Sequence, residues 1–576
     1  MLKSKIIALA LIITFFISLP TFSQTPPVSQ TGGGISQQQK QLKGSKELQE
    51  RIEYDRKKAE ELTSEDVAAE DEGEKVLIKA IKVEGATLVP EEVIRDITII
   101  HEGKKISLKT MQRITDLITD EYRKRGYATS RAYIPPQTMR EGVLIIRVVE
   151  GLLGSLEMRG NKYFKTSLLE KRIKVTPGEV FDYSELQDAL AYINEHPDRT
   201  VKVVLVPGAE PGTTDVVLEV EDNFPFHLGY EYDNYSSRYL GEYRHSLTVE
   251  HNNLFGFDDK LFFKLQMSET DLYKLKQARY SIPISNTIET GFYLARSKTK
   301  LGEEFEVVDS RGEVEIYGVF LNKKVISNPN LDLRLNFGFD YKNIENYLLG
   351  SLDSRDELRV FKAGFDLDMS DKWGRNIFTA ELDAGVPDIL GGMPAKVSST
   401  DTPSASRTGG GGKFYKGVFN LFRLQAGPFG SSFLVKNQAQ FSNYNLVASE
   451  QFQIGGPATV RGYPVAEYAG DRGLYSSFEW SFPCYLMPKG WKVPFTKKDT
   501  FHDALRTVLF YDWGTVHLNK VLTGDKKHRT LKSAGFGFRF NLSNDISARV
   551  EVGYPLGVES SDNEDHQEWF ELSVLF

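Results

Sequence analysis

From Phe226 to the end of the chain, apolar and polar positions alternate with a period of two. Leu331, Leu333, Leu335, Phe337, Phe339 and Tyr341 alternate with Asp332, Arg334, Asn336, Gly338 and Asp340. Phe361, Ala363, Phe365, Leu367 and Met369 alternate with Lys362, Gly364, Asp366 and Asp368, and Ala534 to Leu542 repeats the pattern through Phe536, Phe538 and Phe540. Each run predicts a strand with one apolar face and one polar, often charged, face. A soluble sandwich would turn the charged face outward to water. An outer-membrane barrel inverts this, with charge in the lumen and aromatics against lipid. The count, about sixteen segments over roughly the last 350 residues, is even and of the size expected for a single-chain barrel. Short connections (Ser285-Asn286, Gly427 to Gly430, Ser543-Asn544) interleave with long ones (Lys298 to Arg311, Pro387 to Lys413, Tyr444 to Arg472), as periplasmic turns and outer loops do. The last strand places Phe570, Leu572, Val574 and the terminal Phe576 on one face. The expected fold class is therefore a membrane β-barrel of about sixteen antiparallel strands over residues 223–576.

The N-terminal part is organised differently. Residues 1–23 read as a secretory signal peptide: Lys3 and Lys5, an apolar run from Ile6 to Ile17, then small residues at Thr21 and Ser23. Residues 24–75 form a Pro/Gln/Gly-rich tether, a polar helix from Ser45 to Leu62 and an acidic linker. That helix has too few apolar residues for a core-facing stripe, so it is either solvated or sits in a water-filled pore as a plug. Residues 76–151 read as a compact β-α-α-β-β unit. Val76 to Val83 is its first strand, with Leu77, Lys79, Ile81 and Val83 on one face. Pro90 to Ile97 is a short helix, and Ser107 to Gly126 is a main helix with Met111, Ile114, Leu117, Ile118 and Tyr122 at helical spacing. Residues 152–222 repeat the order, with possible capping boxes at Ser167/Glu170 and Asp182/Glu185 and strands at Val201 to Val206 and Asp215 to Val220. Two such units suggest a short array used for contact, since neither offers a cluster of titratable groups.

Composition narrows the function. Aromatics make up 12% of the 576 residues, with 36 Phe and 26 Tyr, and charged residues 26%. That combination suits a barrel with aromatic girdles and a polar lumen. A formal net charge of -8 argues against nucleic acid as a partner. A single cysteine, Cys484, allows no disulfide within the chain and reads as a sheltered thiol. The nine His are scattered without a His-Glu-x-x-His spacing, no Gly-x-Ser-x-Gly elbow appears, and no phosphate-binding Gly-x-x-x-x-Gly-Lys loop is present. No enzyme, metal or cofactor is expected.

One stretch stands apart: Gly455-Gly456-Pro457-Ala458-Thr459-Val460-Arg461-Gly462-Tyr463-Pro464, within the long loop 444–472. Its glycines permit a sharp reversal. Arg461 is a fork of donors that needs a carboxylate partner on leaving water. The composition fits a loop folded into a wet cavity and fastened there.

These residues resemble a known family. The chain looks like a TpsB-type transporter of two-partner secretion, of the haemolysin secretion/activation (ShlB, FhaC, HecB) group, in the superfamily of the insertase BamA. Arg125 to Pro135 and Val148-Val149-Glu150-Gly151 resemble one of that family's periplasmic POTRA domains. His196-Pro197-Asp198 and Pro207 to Asp215 resemble its second, and Val460-Arg461-Gly462-Tyr463 matches the signature on the sixth outer loop. The resemblance implies a partner for Arg461 on the thirteenth strand, where Phe510-Tyr511-Asp512-Trp513-Gly514 stands. Alternation agrees, turning Asp512 inward, and it turns Glu479 of the twelfth segment inward as well. Arg461 is thus expected to reach Asp512, Glu479 or both, each of which is otherwise an ordinary lumen charge. The terminal Phe576 resembles the signal read by the barrel-assembly machinery during insertion.

The function so implied is export, across the outer membrane and without nucleotide hydrolysis, of a large β-rich exoprotein (TpsA-like), with its activation as a second role that the resemblance allows. The POTRA domains would bind the exoprotein in the periplasm and outer-membrane lipid would surround the barrel. The alternative is a BamA-type insertase that assembles other barrels.

Overall fold

The computed structural model describes residues 75–576, apart from 329, 399, 486, 489, 494–499, 522–525 and 543–545. The signal peptide, the tether, the Ser45–Leu62 helix, nearly all of the acidic linker and the Ser543-Asn544 turn lie outside the described residues. The chain divides into two compact units. One holds the α+β domains through Phe226 together with residues 252–259, and the other holds the barrel strands.

The first α+β domain is built from β1 (Lys75–Ile78), β2 (Ala80–Glu84), α1 (Glu91–Ile99), β3 (Lys104–Ser107), α2 (Leu108–Lys124), β4 (Arg131–Tyr133) and β5 (Val143–Val149). Its main sheet runs β2-β5-β4, while β1 pairs with β3. The single strand expected from Val76 to Val83 is therefore two strands. Lys79 breaks the run by donating its N–H to Gly142. The alternation slips by one there, so Ile78 enters the core and Leu77 stays exposed. Helix α2 starts where Ser107 Oγ accepts from Thr110 N at 3.1 Å. It buries Met111, Ile114, Ile118 and Tyr122, whereas Leu117 is exposed.

The second α+β domain contains β6 (Leu152–Arg159), α3 (Thr166–Glu170), α4 (Tyr183–Asn194), β7 (Arg199–Pro207) and β8 (Thr213–Asp222), with sheet order β6-β8-β7. Asp182 caps α4, accepting from Ser184 N at 2.8 Å. The Ser167/Glu170 box does not form. Helix α3 begins two residues earlier than that box requires, so its capping position falls on Lys165, which has no side-chain acceptor to offer.

The remaining chain closes into a barrel of sixteen strands, each paired antiparallel with its neighbours in sequence. The seventh and eighth strands, Leu331–Leu348 and Ser351–Asp371, pair from Leu331↔Met369 to Leu348↔Ser351. The closing seam is much shorter: the first strand, Phe226–Asp233, meets the last, Gln567–Leu575, only from Gly229↔Leu575 to Asp233↔Glu571. Phe292, Phe337, Phe361, Phe478, Trp480, Phe536 and Phe538 are exposed, while Asp340, Lys342, Asp383, Lys416, Lys436, Glu479, Asp512 and Glu551 are buried. Apolar residues outside and charges inside are the inverted pattern that lipid requires. Cys484 is buried.

Candidate functional site

The loop between the eleventh strand (Ser432–Ser442) and the twelfth (Arg472–Pro483) carries its own two-stranded ribbon, Phe452–Ile454 against Tyr468–Gly470. Its turn is made where Gly455 and Gly456 take left-handed φ values of 108° and 91°. A side chain at Gly455 would meet the Pro464 carbonyl at 2.3 Å, so only glycine fits. Val460 and Tyr463 pack into an apolar cluster with Phe452, Ile454, Tyr475, Val516 and Leu531. The Tyr463 hydroxyl donates to the Val558 carbonyl at 2.9 Å.

Arg461, at the end of this ribbon, is 2% exposed. Its Nε and Nη2 donate to the two carboxylate oxygens of Asp512 at 2.8 and 2.7 Å, the bidentate geometry that suits a guanidinium. Its own backbone N–H donates to the same carboxylate. Nη1 lies 3.0 Å from Glu479 and 3.0 Å from Glu551, and Nη2 also donates to Ser477 Oγ. The guanidinium sits 3.5 Å from the centre of the Phe510 ring, a cation–π contact. The Arg461 carbonyl accepts from Trp569 Nε1 at 2.7 Å. Four strands thus hold one residue: the twelfth, the thirteenth (Leu505–His517), the fifteenth (Ile546–Pro555) and the sixteenth.

Asp512 and Glu479 therefore both contact Arg461, and Gly462 and Tyr463 fit the wall beside it. Sequence reasoning missed Glu551, although Arg549, Glu551 and Gly553 alternate with Val550, Val552 and Tyr554 and so face the lumen. It also missed Lys436, 2.8 Å from Glu479, and Arg539, which bridges Glu479 at 2.9 Å and Glu551 at 2.5 Å. Asp512, Glu479 and Glu551 share one buried cluster with Arg461, Lys436 and Arg539, and Arg549 lies 3.8 Å from Glu551, so no carboxylate there lacks a cation.

A second fastening lies at the loop's root. Glu450 accepts from Lys342 of the seventh strand at 2.7 Å and from Lys416 of the tenth (Phe414–Ala426) at 2.5 Å. Nearby, Arg407 of the 386–413 loop forms a bidentate pair with Asp471. Asp471 also accepts from the backbone N–H groups of Leu446 and Asn519. In a ring of sixteen, the seventh and fifteenth strands face each other, so the loop spans the lumen from wall to wall. Phe576, at the chain end, exchanges backbone hydrogen bonds with Leu228 and leaves its ring exposed.

The α+β part holds two further polar sites. Glu150 accepts from the Thr87 hydroxyl and N–H, from Leu88 N and from the Tyr122 hydroxyl, at 2.5 to 2.9 Å. Burial acts to raise its carboxyl, but these bonds outweigh burial and hold it below its ordinary value. The second domain corrects the expectation of no titratable cluster: His196, Asp198, Arg199 and Asp258 are all buried together. The cluster escaped sequence reasoning because Asp258 lies far along the chain from the other three.

Comparison with known proteins decides the family. Residues 212–540, more than half of the chain, match the haemolysin secretion/activation protein ShlB/FhaC/HecB family, and residues 76–151 match the ShlB-type POTRA domain. The chain belongs to that family. It is similar to a heme/hemopexin transporter protein, HuxB, of Haemophilus influenzae, at 23% identity over 83% of this chain and 82% of that one. It is likewise similar to the outer membrane transporter CdiB of Dickeya dadantii, at 25% identity over 83% and 82%. Among solved structures, CdiB from Escherichia coli superposes with a TM-score of 0.73 at 21% identity, covering 94% of this chain and 98% of the other. As a member of this family, the protein is an outer-membrane β-barrel transporter whose POTRA region lies in the periplasm.

Proposed function

We propose that this barrel exports one large, β-rich exoprotein partner by two-partner secretion, with the partner crossing the lumen unfolded and folding outside. What carries the proposal is the loop fastened across the lumen at Glu450 and Arg461. A segment in that position blocks a wide path at rest and has to shift to admit cargo. Relatives of this chain named as transporters support the reading. The insertase alternative is less well supported, because the family matched is that of secretion/activation proteins.

In this mechanism the POTRA region receives the extended partner, most simply by adding it as a strand to a sheet edge such as β7 or β2. The lumen walls then offer paired charges and little apolar surface on which an unfolded chain would stick. Phe576 serves the barrel-assembly machinery during insertion. The energy comes from the partner's folding on the far side, so Arg461 and its carboxylates act as a latch and do no chemistry on the cargo.

The test is secretion of the co-expressed partner. Arg461→Ala and Asp512→Ala are each expected to abolish secretion while the barrel still inserts and keeps its heat-modifiable migration on gels. Undiminished secretion by both variants would end the latch assignment.

A further inference from the structure

The turn between the second barrel strand (Arg244–His251) and the third (Lys260–Ser268) is built with unusual rigidity. Arg199 forms a buried bidentate pair with Asp258 at 2.5 and 3.1 Å, and Arg172 lies 3.7 Å from the same carboxylate. Asn252 donates to Asp198 at 2.9 Å, and its carbonyl lies 2.8 Å from His196 Nε2. Within the turn, Asp259 accepts from the backbone N–H groups of Phe255 and Phe257, and Asp258 N donates to Asn253. Gly256 and Asp258 adopt left-handed φ values of 85° and 60°. This framework leaves the rings of Phe255 and Phe257 64% and 58% exposed, with Leu254 beside them at 37%.

Continuity with the lipid face explains them. On the flanking strands, Leu247, Val249 and His251 lie opposite Leu265, Phe263 and Leu261, on the face away from the inward pair of Lys264 and Glu231. Phe255 is four residues past His251, and Phe257 is four before Leu261. Even a fully extended chain could carry either ring only about 14 Å from the strand ends, and the turn folds back through Leu254 N to Asp259 O. The fold-back keeps both residues well inside that limit, near the headgroup layer of roughly 5–8 Å on each side, where aromatic rings are favoured. A second aromatic arm starts at Phe226, the first residue of the first barrel strand. Phe224 packs 6.3 Å from it and Tyr163 packs 5.6 Å from Phe224, and all three are exposed. Lys260 is exposed at the end of the turn, and Lys165 Nζ approaches Gly256. Both add positive charge suited to lipid phosphates.

We propose that Leu254, Phe255 and Phe257, with Tyr163, Phe224 and Phe226, form an interfacial anchor seated in the headgroup layer of the phospholipid leaflet that faces the periplasm. The buried His196/Asp198/Arg199/Asp258 cluster holds the turn in the shape that presents it. The anchor is distinct from the latch in the lumen, and its test needs no secretion.

The experiment uses the full chain in nanodiscs of phosphatidylethanolamine and phosphatidylglycerol. In a Cys484→Ser background, nitroxide labels are placed on Phe255→Cys and Phe257→Cys, with Phe292→Cys as the lipid-facing reference and Glu210→Cys as the aqueous one. The ratio of accessibility to oxygen over nickel chelate is read by power saturation. Ratios at 255 and 257 at least threefold above that at 210 are expected. Ratios equal to that at 210 overturn the anchor, including the case where both labels become shielded only on adding an unfolded polypeptide, which would make the patch a cargo surface. Should the Cys484→Ser chain fail to fold, Phe257→Trp in the native background gives the same decision. Brominated phospholipid then quenches the added fluorescence if the anchor is real and leaves it unchanged if it is not.

Discussion

Arg461 is buried with its charge intact, and that fixes what its substitutions do. Removing one partner from a buried, compensated cluster leaves the others unpaired, at a cost of about 3–5 kcal/mol. Arg461→Lys keeps the charge but loses the fork, and one ammonium does not span Asp512, Glu479 and Glu551 as the guanidinium does. It is therefore expected to restore little secretion relative to Arg461→Ala, as an immunoblot of the secreted partner would show. A less obvious prediction concerns the wall. A Cβ at Gly553 would stand 2.5 Å from the Arg461 carbonyl, and one at Gly462 would stand 2.7 Å from the Tyr554 backbone. Gly553→Ala should thus push the loop tip off its seat although it removes no charge, raising single-channel conductance in planar bilayers. Conductance equal to the parent's would refute the close approach. At this scale loop composition marked Arg461 and strand alternation turned Asp512 and Glu479 inward, while the family resemblance pointed to Asp512 as the partner. Glu551 obeyed the same alternation and was overlooked. Gly553 was not legible at all, since a glycine's neighbours across a lumen leave no mark on the chain around it.

The loop behaves as an element with two attachment points, and each can be released separately. Glu450→Ala removes the carboxylate that joins the loop root to Lys342 and Lys416, which keep only their longer contacts to Asp340 and Asp383 on the wall. The root should loosen while the Arg461 end stays seated, giving conductance that flickers between parental and higher levels in single-channel records. In the first α+β domain, Glu150 ties the Thr87-Leu88 segment to Tyr122 of α2. Its carboxyl is held below the ordinary glutamate value of 4.5 in the folded domain. The stabilisation is therefore complete above that value and is lost as pH falls through and below it. Glu150→Gln is expected to cost about 1–2 kcal/mol at neutral pH, with the difference from the parent shrinking as pH falls through and below 4.5. Urea unfolding followed at 222 nm measures this, because among the described residues every α-helix of five or more residues lies in the α+β domains. The elements themselves were mostly legible, through period-two strands and the apolar stripe of α2. The failures came where one residue of backbone irregularity shifts a register, as at Lys79, or where a cap falls two residues earlier than the motif, as at Lys165.

For the whole molecule, hydrophobic alternation and loop lengths made the barrel readable, because lipid imposes one rule on every strand at once. The contacts that span the lumen were not readable. Lys342 and Glu450 are 108 residues apart, and only closure of the ring brings the seventh strand and the loop root together. The same closure sets the seventh strand across from the fifteenth, so the segment from Glu450 to Arg461 works as a cross-brace in a hoop. A hoop with a brace resists flattening, and one with the brace withdrawn can ovalise and press the short seam between its first and last strands. Admitting cargo would then do more than clear the bore: it would soften the cylinder that the cargo is passing through.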